Sequence, residues 1–241
     1  MTLRKQILTI TGLTFFGLTV ILLVSFSVII RQGIETIEIH DVQRDVRQVV
    51  NALENEISIL DSQVMDYANW DDTYAFVVHP SEAYVKSNFT RSTFEHLRLN
   101  LILVVDKAGR FVYGAGFDRQ KGEWRPLPKD LRERLSVHPR LLRHTSVNDR
   151  VGGLLLFPEA PMLLVSRPIL TSEASGPIRG AFLMGRLLTD REIDRLSRLT
   201  QSWLTVHSLD RRPDPAVPPE ILSQLGAREG IAVRPEDRKW I

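Results

Sequence analysis

Apolar positions from Val46 onward fall at Val49, Leu53, Ile57, Leu60, Val64 and Tyr67, in steps of three and four. That spacing marks one face of a helix. No Pro or Gly interrupts residues 34–78, so the pattern predicts one long helix ended by His79-Pro80. Arg44, Asp45, Arg47, Asn51, Glu54 and Glu56 are read onto its other faces. A stripe this narrow suits either the seam of a parallel two-helix dimer or a face packed on a sheet, and periodicity does not separate the two. Upstream, Ile7 to Ile30 carries no charged residue. At a rise of about 1.5 Å per residue it is long enough to cross a bilayer core with some tilt.

Past Pro80 a shorter helix is expected over Glu82 to Leu97, and then the period changes. "NLILVVDKAGRFVYGAGFD" (100–118) reads as strand, turn, strand. Residues 128–142 read as short helical turns broken at Pro139. Three more strand patterns follow at 153–158, 161–170 and 178–188, the first two joined by a tight Glu159-Ala160 turn. "TDREIDRLSRLT" opens on Thr189 or Asp190 as N-cap, and "WLTVHSL" (203–209) reads as a last strand. The class expected is α+β: an N-terminal transmembrane helix running into a long helix, one helical layer packed on a mostly antiparallel sheet. After Asp210 the Pro-rich "RRPDPAVPPE" reads as linker, followed by a short helix near Ile221 to Leu225.

Composition narrows the function. Lys plus Arg number 31 against 29 for Asp plus Glu, with no basic stripe, so no nucleic-acid partner is expected. There is no cysteine, which excludes disulfides, thiolate metal sites and a thiol nucleophile. The run 7–30 is longer than a signal-peptide core and continues past the weak cleavage pattern Ser25-Phe26-Ser27, so an uncleaved anchor in the lipid bilayer is the stronger reading. Arg4 and Lys5 precede it, while Arg31 is soon followed by Glu35 and Glu38, which leaves the N-terminus in the cytoplasm and the bulk of the chain outside.

The candidate chemistry sits in "DYANWDDTYAFV" (66–77), where Asp66, Asp71 and Asp72 lie among Trp70, Tyr74 and other apolar residues. Carboxylates rarely keep such company unpaired. In the last turn of a helix they would also face the negative end of its macrodipole. Two readings stand. Beside Trp70 and Tyr74 the carboxylates suit an ammonium group or a divalent cation. Structurally, they would accept hydrogen bonds from loop amides or pair with Arg167 or Arg186, each of which interrupts an apolar strand. The structural reading is the stronger, because buried paired carboxylates are commoner in frameworks than in sites. Adjacent helical residues diverge by about 100°, so Asp71 and Asp72 form a poor acid/base pair. No nucleophile elbow, phosphate-cradling loop or HExxH spacing is present, so no catalytic residue, metal site or cofactor is expected. The six histidines are read as solvated or turn-associated.

Taken together, "DYANWDDTYAFV", "YVKSNF" (84–89), the 100–118 hairpin, "GGLLLFPEAPMLLVSRPIL", "GAFLMGRLL" and "IDRLSRLT…WLTV" resemble the fourth family of CHASE-type domains, the extracytoplasmic sensors of signalling receptors. The resemblance covers residues 31 to about 210 and implies a PAS- or Cache-like sheet. It also implies a receptor of the bacterial inner (plasma) membrane, with a cyclic di-GMP enzyme or histidine kinase as output. The sequence carries no output module and no second membrane helix, a departure from that pattern. The expected organisation is a cytoplasmic tip and anchor over 1–30, a sensor over 31–210 and an incomplete C-terminal segment over 211–241. A homodimer and an unnamed small-molecule or ion ligand are the expected partners. The alternative is a membrane-tethered periplasmic protein-interaction module.

Overall fold

The computed structural model describes the backbone of residues 3–157, 160–202 and 204, and the side chains of residues 11–26 and of residues from 47 onward within those limits. The expected strand over 203–209, apart from Leu204, the Glu159 turn position and everything from 205 onward lie outside the described residues. The chain divides into two compact units, residues 1–48 with 219–241 and residues 49–218. The first helix, α1 (Leu3–Ala68), contributes to both.

In the first unit, Leu13, Phe15, Phe16, Ile21, Leu22 and Leu23 are all more than half exposed. Among the described residues no helix is long and apolar enough to cross a membrane. The side chains of residues 7–10 and 27–30, which complete the apolar run, lie outside the described set, as do those of 34–46 where a dimer seam was weighed.

The second unit is built on one antiparallel sheet. Its strands are β1 (Leu101–Asp106), β2 (Phe111–Asp118), β3 (Glu123–Arg125), β4 (Val151–Leu156), β5 (Pro161–Pro168) and β6 (Gly180–Leu187), in the order β3-β2-β1-β6-β5-β4. Side chains alternate between faces along each strand. Ile102, Val104, Leu163, Val165, Phe182 and Met184 face a core completed by Leu60, Val64 and Ala68 of α1. The same core takes residues from α2 (Asp71–Phe76), α3 (Glu82–Asn88), α4 (Arg91–His96) and α7 (Asp190–Thr200). In its described part, therefore, the narrow stripe of α1 is a sheet-facing core stripe.

Leu101, Leu103, Val105, Leu164 and Leu183 face the other way, onto Leu131 and Leu135 of α5 (Leu131–Ser136) and Leu141 and Leu142 of α6 (Pro139–Leu142). The single helical layer expected from sequence is corrected to helices on both faces. That is why β1, β5 and β6 are buried along almost their whole length rather than at alternate positions.

The long helix is also corrected. It ends at Ala68, and Trp70 adopts an extended backbone (φ −133°, ψ 130°) before α2 begins. Neither Gly nor Pro breaks it. Instead, the Ala68 carbonyl accepts from Leu170 N at 2.9 Å, so the end of α1 is tied to the chain leaving β5. Asp71 and Asp72 consequently stand in the first turn of α2, where a helix dipole favours carboxylates rather than opposing them. Pro80 comes after this second helix. The expected 82–97 helix is two short ones, capped by Ser81 and Thr90, whose hydroxyls accept from Tyr84 N and Thr93 N.

Candidate functional site

The break at residues 69–70 assigns different tasks to the members of the motif. Asp71 exchanges two hydrogen bonds with the β5–β6 loop. Its own N donates to Ser172 Oγ at 3.0 Å, and its Oδ1 accepts from Ser172 N at 3.1 Å. One turn on, Tyr74 Oη donates to the Pro177 carbonyl at 3.0 Å, and Arg179 Nη1 donates to the Tyr74 carbonyl at 2.9 Å. The Arg179 guanidinium also lies 3.7 Å from the centre of the Tyr74 ring. Gly176 (φ +88°) turns the loop beneath that ring, and a Cβ there would stand 3.3 Å from the Tyr74 hydroxyl. Asp71 and Tyr74 thus clamp residues 171–179 onto α2.

Trp70 is half-buried, with its ring edge-on to Tyr67 (centroids 6.3 Å apart) and tilted against Tyr84 (6.1 Å). Asp66 is exposed on α1. Between Asp71 and Tyr74, Thr73 is buried and shares a hydrogen bond with the Tyr84 hydroxyl. Burial pushes the Tyr84 phenol up to about 12, against the lowering effect of that bond, so it stays protonated.

Asp72 is different. It is exposed and makes no hydrogen bond or ion pair with the described residues. It lines an open groove of about 500 Å³ with Trp70, Phe76, His79, Ser81, Tyr84 and Asn88. A lone carboxylate beside aromatic faces and hydroxyls suits a cation with an apolar body. Among the described residues no group of three or more His, Asp or Glu is arranged to hold a metal ion.

Arg167 and Arg186 both hold carboxylates, but those of α1 rather than of Asp71 and Asp72. Arg167 forks onto Asp61, Nε to Oδ1 and Nη2 to Oδ2, each at 2.7 Å. The bonds from Asp61 raise its pKa against the lowering effect of burial. Arg186, fully buried in β6, donates to Glu56 Oε2 and to the carbonyls of Leu97 and Arg98. The Asp71 carboxylate is exposed and accepts from the Ser172 amide, which removes its need for a guanidinium. Glu56 is only 3% exposed, correcting its expected place on an outer face. Its position four residues before Leu60 was the available signal.

A further histidine departs from expectation. His144 is buried, with Nε2 2.8 Å from Ser166 Oγ and Nδ1 3.2 Å from Asp149 Oδ2. Serine, histidine and aspartate here have the order of a hydrolytic triad. However, Ser166 is wholly buried and donates its hydroxyl to the Leu141 carbonyl at 2.7 Å, so it presents no nucleophile to a substrate. The cluster fastens α6 and the following loop to the sheet.

The chain is 30% identical over 200 residues to the methanogenesis regulatory histidine kinase FilI of Methanothrix harundinacea (strain 6Ac), a match covering 83% of this chain. It spans only 22% of the length of that relative. Among solved structures, a domain assigned to a sensory box/GGDEF family protein of Vibrio parahaemolyticus superposes at a TM-score of 0.46 with 15% identity, over 65% of this chain and 63% of that one. An extracellular domain assigned to the histidine kinase vpHK1S-Z8 gives 0.42 and 14%, over 63% and 62%. The CHASE4 domain profile matches residues 52–207, which include α1 from Ala52, both clamp partners and every strand of the sheet; the chain belongs to the CHASE4 domain family.

Proposed function

We propose that this chain is the extracytoplasmic sensor region of a membrane-bound signalling receptor, acting through ligand binding rather than catalysis. Membership of the CHASE4 family carries the reading. The exposed apolar side chains over residues 11–26 support an anchor formed by residues 7–30, with the sensor over 31–210 and a linker after it. The 30% identity to a histidine kinase supports a kinase output, and a cyclic di-GMP enzyme is the other output in view. Helix α1 carries both the anchor run and the stripe on which the sheet packs, so a change at the sheet would reach the bilayer as a small shift of that helix. Two copies would pair through the membrane-proximal part of α1.

Cell fractionation with protease accessibility tests the reading. The 241-residue chain is expected in the membrane fraction, its sensor cleaved only by protease added outside the cytoplasmic membrane. Recovery in the soluble fraction, or cleavage only from the cytoplasmic side, would overturn it.

The ligand enters the groove beside Asp72, as an organic ammonium ion held by the carboxylate and by the half-buried Trp70 ring. The observation behind this is that Asp72 is the motif carboxylate that lines the groove, with its side chain unpartnered among the described residues. Trp70 lines the groove, so titration with primary and quaternary amines is expected to change tryptophan fluorescence saturably. A response unaltered in Asp72→Asn would place the binding elsewhere.

A further inference from the structure

Among the described residues, the largest cluster of buried charge lies away from the groove, where α1, β6 and α7 meet. Arg98 Nη2 donates to Glu56 Oε2 at 2.9 Å, and its Nη1 to Glu192 Oε2 at 3.4 Å. Arg195 Nε donates to Glu192 Oε2 at 2.9 Å, and its Nη2 lies 2.6 Å from Glu56 Oε1. These contacts close a ring of alternating charge joining α1 to α7. Arg186 attaches to Glu56 from the sheet, and Arg119 attaches to Glu192 Oε1 at 2.8 Å from the end of β2.

With Arg186 and Arg119 attached, the cluster carries an excess of positive charge. Four guanidiniums meet two carboxylates, and each carboxylate already accepts from three of them. The carboxylates are desolvated, with side chains 4% and 6% exposed, while Arg98, Arg119 and Arg195 keep 27%, 23% and 28%. Arg119 Nε is buried and has no acceptor among the described residues. Arg98 also carries the strained positive φ (57°) that aims its carbonyl at Arg186. Burial, and after it the neighbouring Arg98, push the Arg186 guanidinium down to about 10, against the opposing effect of Glu56 and Glu192. Desolvated charge is costly unless compensated, and a buried donor without a partner points to a missing water or ion. Guanidinium forks match the oxygens of phosphate-like anions.

We propose that Arg98, Arg119 and Arg195 form the half-open face of a site for a small soluble oxyanion of the phosphate or sulfate class. The anion completes the charge balance of the ring and tightens the tie between α1 and α7. This site is separate from the Asp72 groove and does not depend on the sensor reading.

Thermal melting of the 241-residue chain in mild detergent tests it, with inorganic phosphate or sulfate replacing chloride at constant ionic strength. The wild type is expected to gain about 2–4 °C saturably in the millimolar range. Arg119→Gln leaves Glu192 with Arg98 and Arg195, so it folds but loses most of the gain. Arg119→Lys, which keeps the charge without the Nε donor, recovers part of it. Arg150→Gln, at an exposed arginine outside the ring, responds as the wild type does. Absence of a gain in the wild type would overturn the proposal. So would a gain that rises linearly with concentration and is equal in Arg119→Gln, which is a general salt effect.

Discussion

At the α2 clamp an exposed aspartate, Asp71, meets a serine and an amide of the β5–β6 loop. At the ring an enclosed glutamate, Glu56, meets three arginines. Both fasten a helix to the sheet unit with a carboxylate, yet water enters the energetics differently. Around Asp71, solvent replaces any hydrogen bond that is lost. Around Glu56, removal of the carboxylate leaves Arg186 wholly buried, without its direct counter-charge. The sensor can therefore loosen its motif loop at small cost, whereas the junction of α1 and α7 resists change until its charges are altered.

The largest effect is expected at Glu56. Glu56→Gln should lower stability by about 3–5 kcal/mol, the range for breaking a buried ion pair from one side. Urea denaturation of the full chain checks this, and a loss under about 1 kcal/mol would remove the distinction between the two regions.

His144 belongs with the enclosed groups. Burial lowers its pKa, opposed by the nearby Asp149 carboxylate and reinforced by Arg167 and Arg140. Its folded value lies below the unfolded value of about 6.5, so the unfolded state binds more protons as pH falls through that value. The stability it contributes is present above about pH 6.5 and lost below it. Asp149 and Glu192, also held below their ordinary values, add losses at lower pH. Melting curves between neutral and mildly acidic pH should slope less in His144→Gln, which keeps a donor for Ser166; an unchanged slope would assign the acid loss to the carboxylates alone.

The clamp comes next. Asp71→Ala forfeits the side-chain half of the exchange with Ser172, about 0.5–1.5 kcal/mol. It should increase hydrogen exchange in residues 171–179 without touching the sheet. The smallest effect is expected at Asp72, where Asn should stay within about 0.5 kcal/mol of the wild type, as for any unpartnered surface position.

Much of this frame was legible in the chain. The strands β1, β5 and β6 follow from their mostly apolar stretches, and α7 from Thr189 as N-cap. Strand β3 was not legible, since Glu123, Trp124 and Arg125 are all exposed and carry no apolar alternation. The break at residues 69–70 has no Gly or Pro to announce it and arises from contacts with Leu170 and Ser172, about a hundred positions away. The same loop separates Asp71 from Asp72, which are equivalent neighbours in sequence. Glu56 was readable from its spacing to Leu60, but its three guanidinium partners come from segments that only the sheet brings together.

The division of labour between the two adjacent aspartates is tested most directly by melting wild type, Asp71→Asn and Asp72→Asn side by side, with and without an organic ammonium ligand identified by tryptophan fluorescence. Asp71→Asn should melt earlier yet keep the ligand-induced rise, while Asp72→Asn should melt with the wild type and lose that rise. The reverse pattern, or a ligand response equal in all three proteins, would contradict the account.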